Sequence, residues 1–556
     1  MKLVTVAEMK RLEQAADAKG HSFAEMMEQA GRAVALEIAK QTPVKGKIVL
    51  VLVGPGNNGG DGLVAARYLK EAGAQIVCYM LKPRPEGDTN LKLVQEHNIA
   101  CLLLDDDREH KMLRKVLQSV DIIIDALLGT GVSRPIDGAL KDILDVVRQT
   151  VQARRPAQTI AWTALAPPSR PADQPIPAPF IVAIDTPSGL NCDTGEIDAA
   201  ALTADLTIAL AAPKRGHFRF PGAAALGRLV VADIGIDPGL VAETLADIPV
   251  DVATAKMAGA LLPERPPQAH KGTFGKAMVV AGSVNYTGAP YLAAAAAARV
   301  GAGLVTLAPP QPLHAILAGK LVEATFLLLP HSMGVLNVNA VPVLSKNLKG
   351  YTAMLLGPGL GQDKETVSFV HKLLDMAPSS PPPIGFRRGR ESSAPITLPA
   401  LVIDADGLNA LAKIDRWWEY LPPHSILTPH PGEMARLTSS ENENRERIAL
   451  AAEKAAAWQQ IVVLKGAYTV IAAPDGAIAA LPFANPALST AGSGDVLAGC
   501  IVGLLAQGLA PFEAAVCGAY LHGLAGARVA ARLGVAGTLA GDLLPELPGA
   551  IASLKM

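Results

Sequence analysis

A chain of 556 residues is too long for one hydrophobic core, so two or more domains are expected. Hydrophobic residues make up 50% and charged residues 18%, which excludes disorder over most of the length. Fifty basic and 51 acidic residues nearly cancel, to a formal net charge of −1, so there is no electrostatic footprint for nucleic acid or an anionic membrane.

The opening MKLVTVAEMKRLEQ carries charges where a signal peptide needs an apolar stretch, so a cytoplasmic protein is expected. The first β-branched run, Lys47 to Val53, ends in Gly54-Pro55-Gly56-Asn57-Asn58-Gly59-Gly60-Asp61-Gly62 and leads into a helical pattern, LVAARYLKEAG. The strand QIVCYML follows, which completes a strand-helix-strand unit, the building block of a parallel sheet. DIIIDALLGTG and FIVAIDTPSG repeat the theme, each an apolar run ending in an acid and a Gly-rich turn. Ligands of open parallel sheets gather at the carboxyl ends of strands, where these turns fall.

The first Gly-rich turn matches GxGxxG and suits a phosphate or a close backbone approach at a helix N-terminus. It is not an ordinary dinucleotide fingerprint. QIVCYMLKPR ends without an acid for a ribose hydroxyl, the turn carries two carboxamides and an Asp, and no GKS or GKT makes it a Walker loop.

The second half repeats the pattern in KAMVVAGS, GLVTLAPP, AMLLGPGLG, LVIDADGLN and IVVLKGAYTVI. The two domains are placed at 1–236 and 252–556, with a linker at 237–251. Two segments, 156–179 and 378–399, are rich in Pro or basic residues and are expected as exposed, disordered insertions. The apolar run Val496 to Tyr520 contains Gln507, Pro511 and Glu513 and reads as buried helices of a soluble core rather than a membrane span. Five scattered cysteines with no CxxC pair indicate neither a disulfide framework nor a zinc site.

The strongest local signal is Asn485-Pro486-Ala487-Leu488-Ser489-Thr490-Ala491-Gly492-Ser493-Gly494-Asp495, ahead of an apolar helix. Small residues let backbone N–H groups crowd a phosphoryl oxygen, and an Asp beside them can take a proton from an attacking hydroxyl. The plain alternative is a Gly-rich helix start with Asp495 as its cap.

Taken together and in order, VLVGPGNNGGDGLVAARYL, DALLGTGVSRP, VAIDTPSGLNCDTG and APKRGHF resemble the NAD(P)H-hydrate epimerase family over roughly Met1 to Ile236. The resemblance implies a Rossmann-like three-layer α/β sandwich. It also implies that Asn57, Asn58, Gly59, Gly60 and Asp61, with Gly129, Thr130, Gly131, Val132, Ser133, Arg134 and Pro135, contact the hydrated dinucleotide. Asn58, Asp125 and Ser188 would bind a potassium ion, and Asp185 would be the acid/base residue that also touches substrate. Asp185 is open to a second reading as a turn acid or helix cap ahead of Pro187-Ser188-Gly189, and Asp125 as a cap of the turn that follows it.

From about Lys256 onward, HKGTFGKAMVVAGS, GPGLG, VIDADGLN, TPHPGE, LKGAYTVI and the GSGD turn resemble the NAD(P)H-hydrate dehydratase branch of the ribokinase-like α/β fold. The resemblance implies that Ala289, Gly359 and His430 touch the hydrate and that Asp495 is the base in contact with it. Lys465, Gly466, Ala467, Tyr468, Thr469 and Gly494 would hold the adenine nucleotide. His430, between two prolines, is otherwise a structural loop residue, and Glu433 either helps place magnesium or is a surface acid. ADP and magnesium are the implied co-reactants, giving AMP and phosphate. The implied partners are small molecules, with no nucleic acid and no membrane, and a homo-oligomer is left open. The rival reading is a ribokinase-like vitamin-precursor kinase with a non-catalytic N-terminal nucleotide-binding module.

Overall fold

The computed structural model describes residues 1–131, 134–154, 177–376, 396–439 and 446–555. Val132, Ser133, nearly all of both Pro-rich insertions and the RRGR cluster lie outside the described residues. The chain divides into two compact units, Lys2–Ile248 and Pro249–Met556.

Among its described residues the first unit holds seven strands: β1 (Ile48–Val53), β2 (Gln75–Met80), β3 (Ala100–Leu103), β4 (Ile122–Ala126), β5 (Phe180–Ile184), β6 (Leu206–Leu210) and β7 (Arg228–Ala232). They pair in parallel in the order β3-β2-β1-β4-β5-β6-β7. The central strands read as unbroken apolar runs because both faces of a parallel sheet are buried under helices. Val49, Val51 and Val53 of β1 join one buried cluster, and Leu50 and Leu52 join the other. The strand order reverses direction between β1 and β4, the switch point at which such sheets open a ligand crevice.

Residues 237–251, expected as a linker, are folded. Asp237 caps the helix Pro238–Thr244 by accepting from Leu240 N at 3.0 Å. Leu240, Leu245 and Ile248 pack with Met9, Leu12 and Ala16 of the helix Val6–Ala18. This helix spans only seven residues, too short for its periodicity to stand out from a loop.

The second unit holds β8 (Val250–Val252), β9 (Lys276–Val280), β10 (Leu304–Leu307), β11 (Thr325–Phe326), β12 (His331–Ser332), β13 (Val335–Leu336), β14 (Ala353–Leu356), β15 (Ala400–Ile403), β16 (Ile426–Leu427), β17 (Ile461–Leu464), β18 (Val470–Ala472) and β19 (Ile478–Ala480). The main sheet runs β11-β10-β9-β14-β15-β16-β17-β18-β19-β8, parallel except where β18 meets its two neighbours. Its chain direction reverses between β9 and β14. The apolar run expected as buried helices forms Ser493–Ala506 and Pro511–Leu533, separated at Gln507–Ala510, and both contribute to the unit's core. No helix among the described residues is long and apolar enough to cross a membrane.

All five cysteines are free; Cys78, Cys192, Cys500 and Cys517 are buried, and Cys101 is half-buried.

Two candidate active sites at the strand ends

In the first unit, β1 hands over to the helix Asn57–Glu71 through Gly54, Pro55 and Gly56. A Cβ on Gly54 would lie 1.8 Å from the Leu127 carbonyl oxygen, and one on Gly59 would lie 2.0 Å from the Gly54 oxygen. Glycine at these positions lets the helix start press against the end of β4, which puts Asn58 and Asp61 at the switch point.

These elements wall a cavity of about 850 Å³. Asn57, Asn58 and Asp61 line it from the helix start, Gly129, Thr130 and Gly131 from the turn after β4, and Asp185 from the end of β5. Glu13 faces it from the first helix and Arg84 from the loop after β2. Gly59 and Gly60 lie buried in the same helix turn, and Arg134 and Pro135 are exposed beyond the turn.

Asn58, Asp125 and Ser188 converge on Leu128. Asn58 Nδ2 donates to the Leu128 carbonyl at 2.9 Å, and Ser188 Oγ accepts from Leu128 N at 2.8 Å. Ser188 Oγ also donates to Asp125 Oδ1 at 2.6 Å, while Ser188 N donates to Asp125 Oδ2 at 2.8 Å. Asp125 Oδ1 accepts from Leu127 N at 3.2 Å, so the carboxylate caps the turn as well as joining this oxygen cluster. Burial pushes the Asp125 carboxyl up, against the pull of the Ser188 and Leu127 donors.

Asp185 is not a helix cap. It sits at φ 64°, in the left-handed region that non-glycine residues rarely adopt, and such strain clusters at functional sites. Its Oδ1 accepts from Leu210 N at 3.0 Å and from the Lys214 ammonium. Lys214 is fully buried, and its Nζ also donates to the Leu210 carbonyl at 3.0 Å. His217 Nδ1 accepts from the Lys214 amide at 3.3 Å, and burial next to that ammonium pushes its ring down to about 3. Lys214, Glu13 and Arg84 are additions that the sequence reading did not assign. Lys214 lies inside the quoted APKRGHF motif, and its charge in an otherwise buried stretch was the available signal.

In the second unit, β15, β16 and β17 end side by side at Asp404, Thr428 and Lys465. Thr428 Oγ1 donates to Asp404 Oδ1 at 2.7 Å, and Lys465 Nζ donates to the same oxygen at 2.6 Å. Glu433 Oε2 lies 3.6 Å from Lys465 Nζ. Glu433 is therefore a buried acid of this cluster, not a surface one. A Cβ on Gly494 would lie 3.5 Å from Lys465 Nζ, so the GSGD helix start meets the lysine directly. Burial first, then Asp404, push the Asp495 carboxyl up to about 7, with Lys465 opposing.

Ala289 and Gly359 meet at the β9/β14 switch point, where a Cβ on Gly359 would lie 2.8 Å from the Ala289 Cβ. Gly361 N donates to Asp406 Oδ2 at 2.9 Å, which ties this turn to the acidic cluster that raises Asp495. His430 caps the helix Pro431–Thr438, its Nδ1 accepting from Gly432 N at 3.0 Å and Glu433 N at 3.3 Å. Its ring is half exposed, with Nε2 3.5 Å from Glu433 Oε1. The Gly466–Thr469 turn is held by Arg447, which donates to the carbonyls of Leu464, Lys465 and Ala467 at 2.8, 3.0 and 2.7 Å. Asp404 and Asp406 stand in the VIDADGLN motif and Thr428 in TPHPGE, and the sequence alone assigns them no role. Among the described residues no three His, Cys, Asp or Glu side chains converge as a ready metal cage.

Residues 23–216 match the family model of the YjeF-related protein N-terminus, and residues 277–549 match that of NAD(P)H-hydrate dehydratase. The chain is 38% identical over 566 aligned positions to a bifunctional NAD(P)H-hydrate repair enzyme of Moorella thermoacetica, covering 100% of this chain and 97% of that protein. It is 32% identical to the protein of the same name from Thermofilum pendens, with 100% and 97% covered. Among solved structures, an ADP/ATP-dependent NAD(P)H-hydrate dehydratase from Bacillus subtilis, co-crystallised with ATP and magnesium, aligns at 31% identity. That alignment covers 55% of this chain and 99% of the other, with a TM-score of 0.45.

Proposed function

The chain belongs to the bifunctional NAD(P)H-hydrate repair enzymes, an epimerase joined to a dehydratase, and from that premise we propose which residues of each unit carry its reaction. The observation that supports the assignment best is chemical. Each unit holds one Asp near a lysine: Asp185 accepts from the fully buried Lys214, and Asp495 lies in the field of the half-buried Lys465, which the resemblance assigns to the nucleotide.

In the first unit the hydrated dinucleotide occupies the cavity lined by Asn57, Asn58, Asp61, Gly129, Thr130, Gly131 and Asp185, and the resemblance adds Val132, Ser133, Arg134 and Pro135 to its contacts. Epimerisation at C6 of the hydrated ring needs a proton given and removed, and Asp185, oriented by Lys214 and Leu210 N, is the shuttle. Asp125, Ser188 and the Leu128 carbonyl offer hard oxygens that fit a potassium ion, and Asn58, whose Nδ2 donates to that carbonyl, would add its Oδ1. Such an ion would supply a fixed positive charge beside the Leu128–Gly131 turn.

In the second unit the S hydrate contacts Ala289, Gly359 and His430. ADP lies along Lys465 to Thr469, with its terminal phosphate toward Gly494 and the helix start. Asp495 takes the proton of the C6 hydroxyl as that oxygen accepts the phosphoryl group. The C6–O bond then breaks and phosphate leaves with its electron pair as the ring-nitrogen lone pair forms N1=C6; transfer of a C5 proton to the departing phosphate gives C5=C6, returns the pair to nitrogen and restores the dihydropyridine. Glu433 and Asp404 would be the carboxylates that help hold magnesium, and phosphate oxygens would complete its shell, since no closed cage is present among the described residues. Magnesium held there would supply positive charge to offset that of the transferring phosphoryl group. The small-molecule partners and a cytoplasmic site of action follow from the same reading.

The test is recovery of NADH from a mixture of both hydrate epimers with ADP and magnesium, followed at the NADH absorbance band. Complete recovery that drops to the S epimer alone in Asp185→Ala supports both assignments. Consumption of the nucleotide on another alcohol with no NADH formed would sink the dehydratase and favour the kinase reading.

A further inference from the structure

The cavity of the first unit holds carboxyl groups in unequal surroundings. Asp185 receives the Lys214 ammonium and the Leu210 amide. Asp61 leads from β1 while Asp185 leads from β5, on the two sides of β4, and both line the same cavity. Among the described residues no hydrogen-bond donor reaches the Asp61 carboxyl. It is buried at the fifth position of its helix, and burial, together with the charges of Asp185 and Glu13, pushes it well above the usual carboxylate range. Two carboxyls on one ligand cavity, one paired with a cation and one not, are the pattern that separates an acid from a base.

We propose that Asp61 is a second catalytic residue of epimerisation, acting across the cavity from Asp185, and that Lys214 is the positioning residue that makes one the acid and the other the base. The proposal rests on the epimerase reading of this unit and adds the second proton carrier that inversion requires. Asp61 gives its proton to the C6 hydroxyl, the C6–O bond breaks and water leaves, and the ring-nitrogen lone pair closes an N1=C6 double bond. A water then attacks C6 from the other face, the N1=C6 pair returns to nitrogen, and Asp185 accepts the proton of that water. The opposite epimer runs the same steps backward. No oxidant or reductant is involved.

The experiment uses the full chain without nucleotide, so that dehydration does not intervene, and follows interconversion of the separated NADH-hydrate epimers in ¹⁸O-water. One ¹⁸O enters C6 per inversion. Asp61→Asn lowers kcat by about 100- to 10,000-fold, the usual worth of a positioned acid, with KM little changed. Lys214→Met lowers kcat in the same way and Lys214→Arg restores most of it, which a merely structural lysine would not do. Activity falls as pH rises through the Asp61 titration; Asp185, Glu13, Lys214 and Arg84 are the charged groups that face it. Inverted product that keeps its original oxygen, or wild-type rates in Asp61→Asn, would overturn the proposal. Wild-type protein that interconverts nothing would instead remove the epimerase assignment on which it stands.

Discussion

Asp404, just past β15, and Lys465, just past β17, form a 2.6 Å ion pair across the end of the intervening β16, and the same ammonium lies 3.6 Å from Glu433. Both carboxylates are nearly inaccessible to solvent. One lysine therefore compensates two buried negative charges directly beneath the helix start that carries Asp495.

Removing that lysine should be costly. Breaking a buried pair from one side typically costs about 3–5 kcal/mol because a charge is left uncompensated. Lys465→Met is expected to lower the thermal midpoint of the Pro249–Met556 unit, and the double change Lys465→Met with Asp404→Leu should recover part of the loss. Calorimetry on the two variants checks this, and an unchanged midpoint in the single variant would contradict it.

Dehydration should fail at acidic pH. Asp495 must be ionised to act as a base, and burial with Asp404 holds it up to about 7. The rate is expected to decline as pH falls through that value. In the folded chain the raised carboxyl keeps a proton between its ordinary value near 4 and about 7, so its contribution to stability diminishes as pH rises across this window. The limb should move upward in Lys465→Met, because that ammonium opposes the rise. Initial rates of NADH formation from the S hydrate at a series of pH values read both effects.

The two activities should separate by single substitutions. Asp495→Asn is expected to reduce dehydration by about 100- to 10,000-fold. Epimer interconversion without nucleotide should continue at the wild-type rate in this variant, and a parallel loss would refute the division of labour.

Gly54 and Gly59 should tolerate no side chain. Alanine at either would drive a Cβ to within 2.0 Å of a backbone oxygen, and overpacking of this kind costs roughly 1–3 kcal/mol or more. Gly54→Ala is expected to lower the midpoint of the Lys2–Ile248 unit and to abolish epimerisation, since the helix start would move off the end of β4.

Asp125→Ala should break the oxygen cluster with Ser188 and Leu128. Epimerisation is then expected to lose its response to potassium chloride relative to an ionic-strength control. A wild-type enzyme indifferent to potassium would remove the cation from the reading, leaving Asp125 as the turn cap that its bond to Leu127 N already makes it.

Much of the frame was legible in the chain. Short β-branched apolar runs such as Ile48–Val53 read as strands buried on both faces, and the glycines after them announce the helix starts. Residues proposed to act by local chemistry, such as Asn58 and Asp495, stood inside recognisable turns. The buried partners were harder to see. Lys214 meets Asp185 across 29 positions of sequence, and Lys465 meets Asp404 across 61. Spacing along a chain carries no record of which strand ends adjoin, so these pairs emerge only from sheet order. His430 shows a different limit, because its ring nitrogen caps its own helix and the cap is invisible without the backbone geometry. The folded stretch at 237–251 was missed because its three anchors, Leu240, Leu245 and Ile248, are too few to display a period.

The distribution of thiols turns the chain into its own clock. Cys192 and Cys517 are each pushed up to about 12 by burial, and Cys500 and Cys78 are raised as well, so none offers a thiolate to an alkylating reagent while its unit stays closed. With half-buried Cys101 replaced by Ser, mass spectrometry of timed labelling would read Cys192 as the opening of one unit and Cys500 as the opening of the other. A single sample would thus reveal, peptide by peptide, which half of this enzyme gives way first when it is warmed.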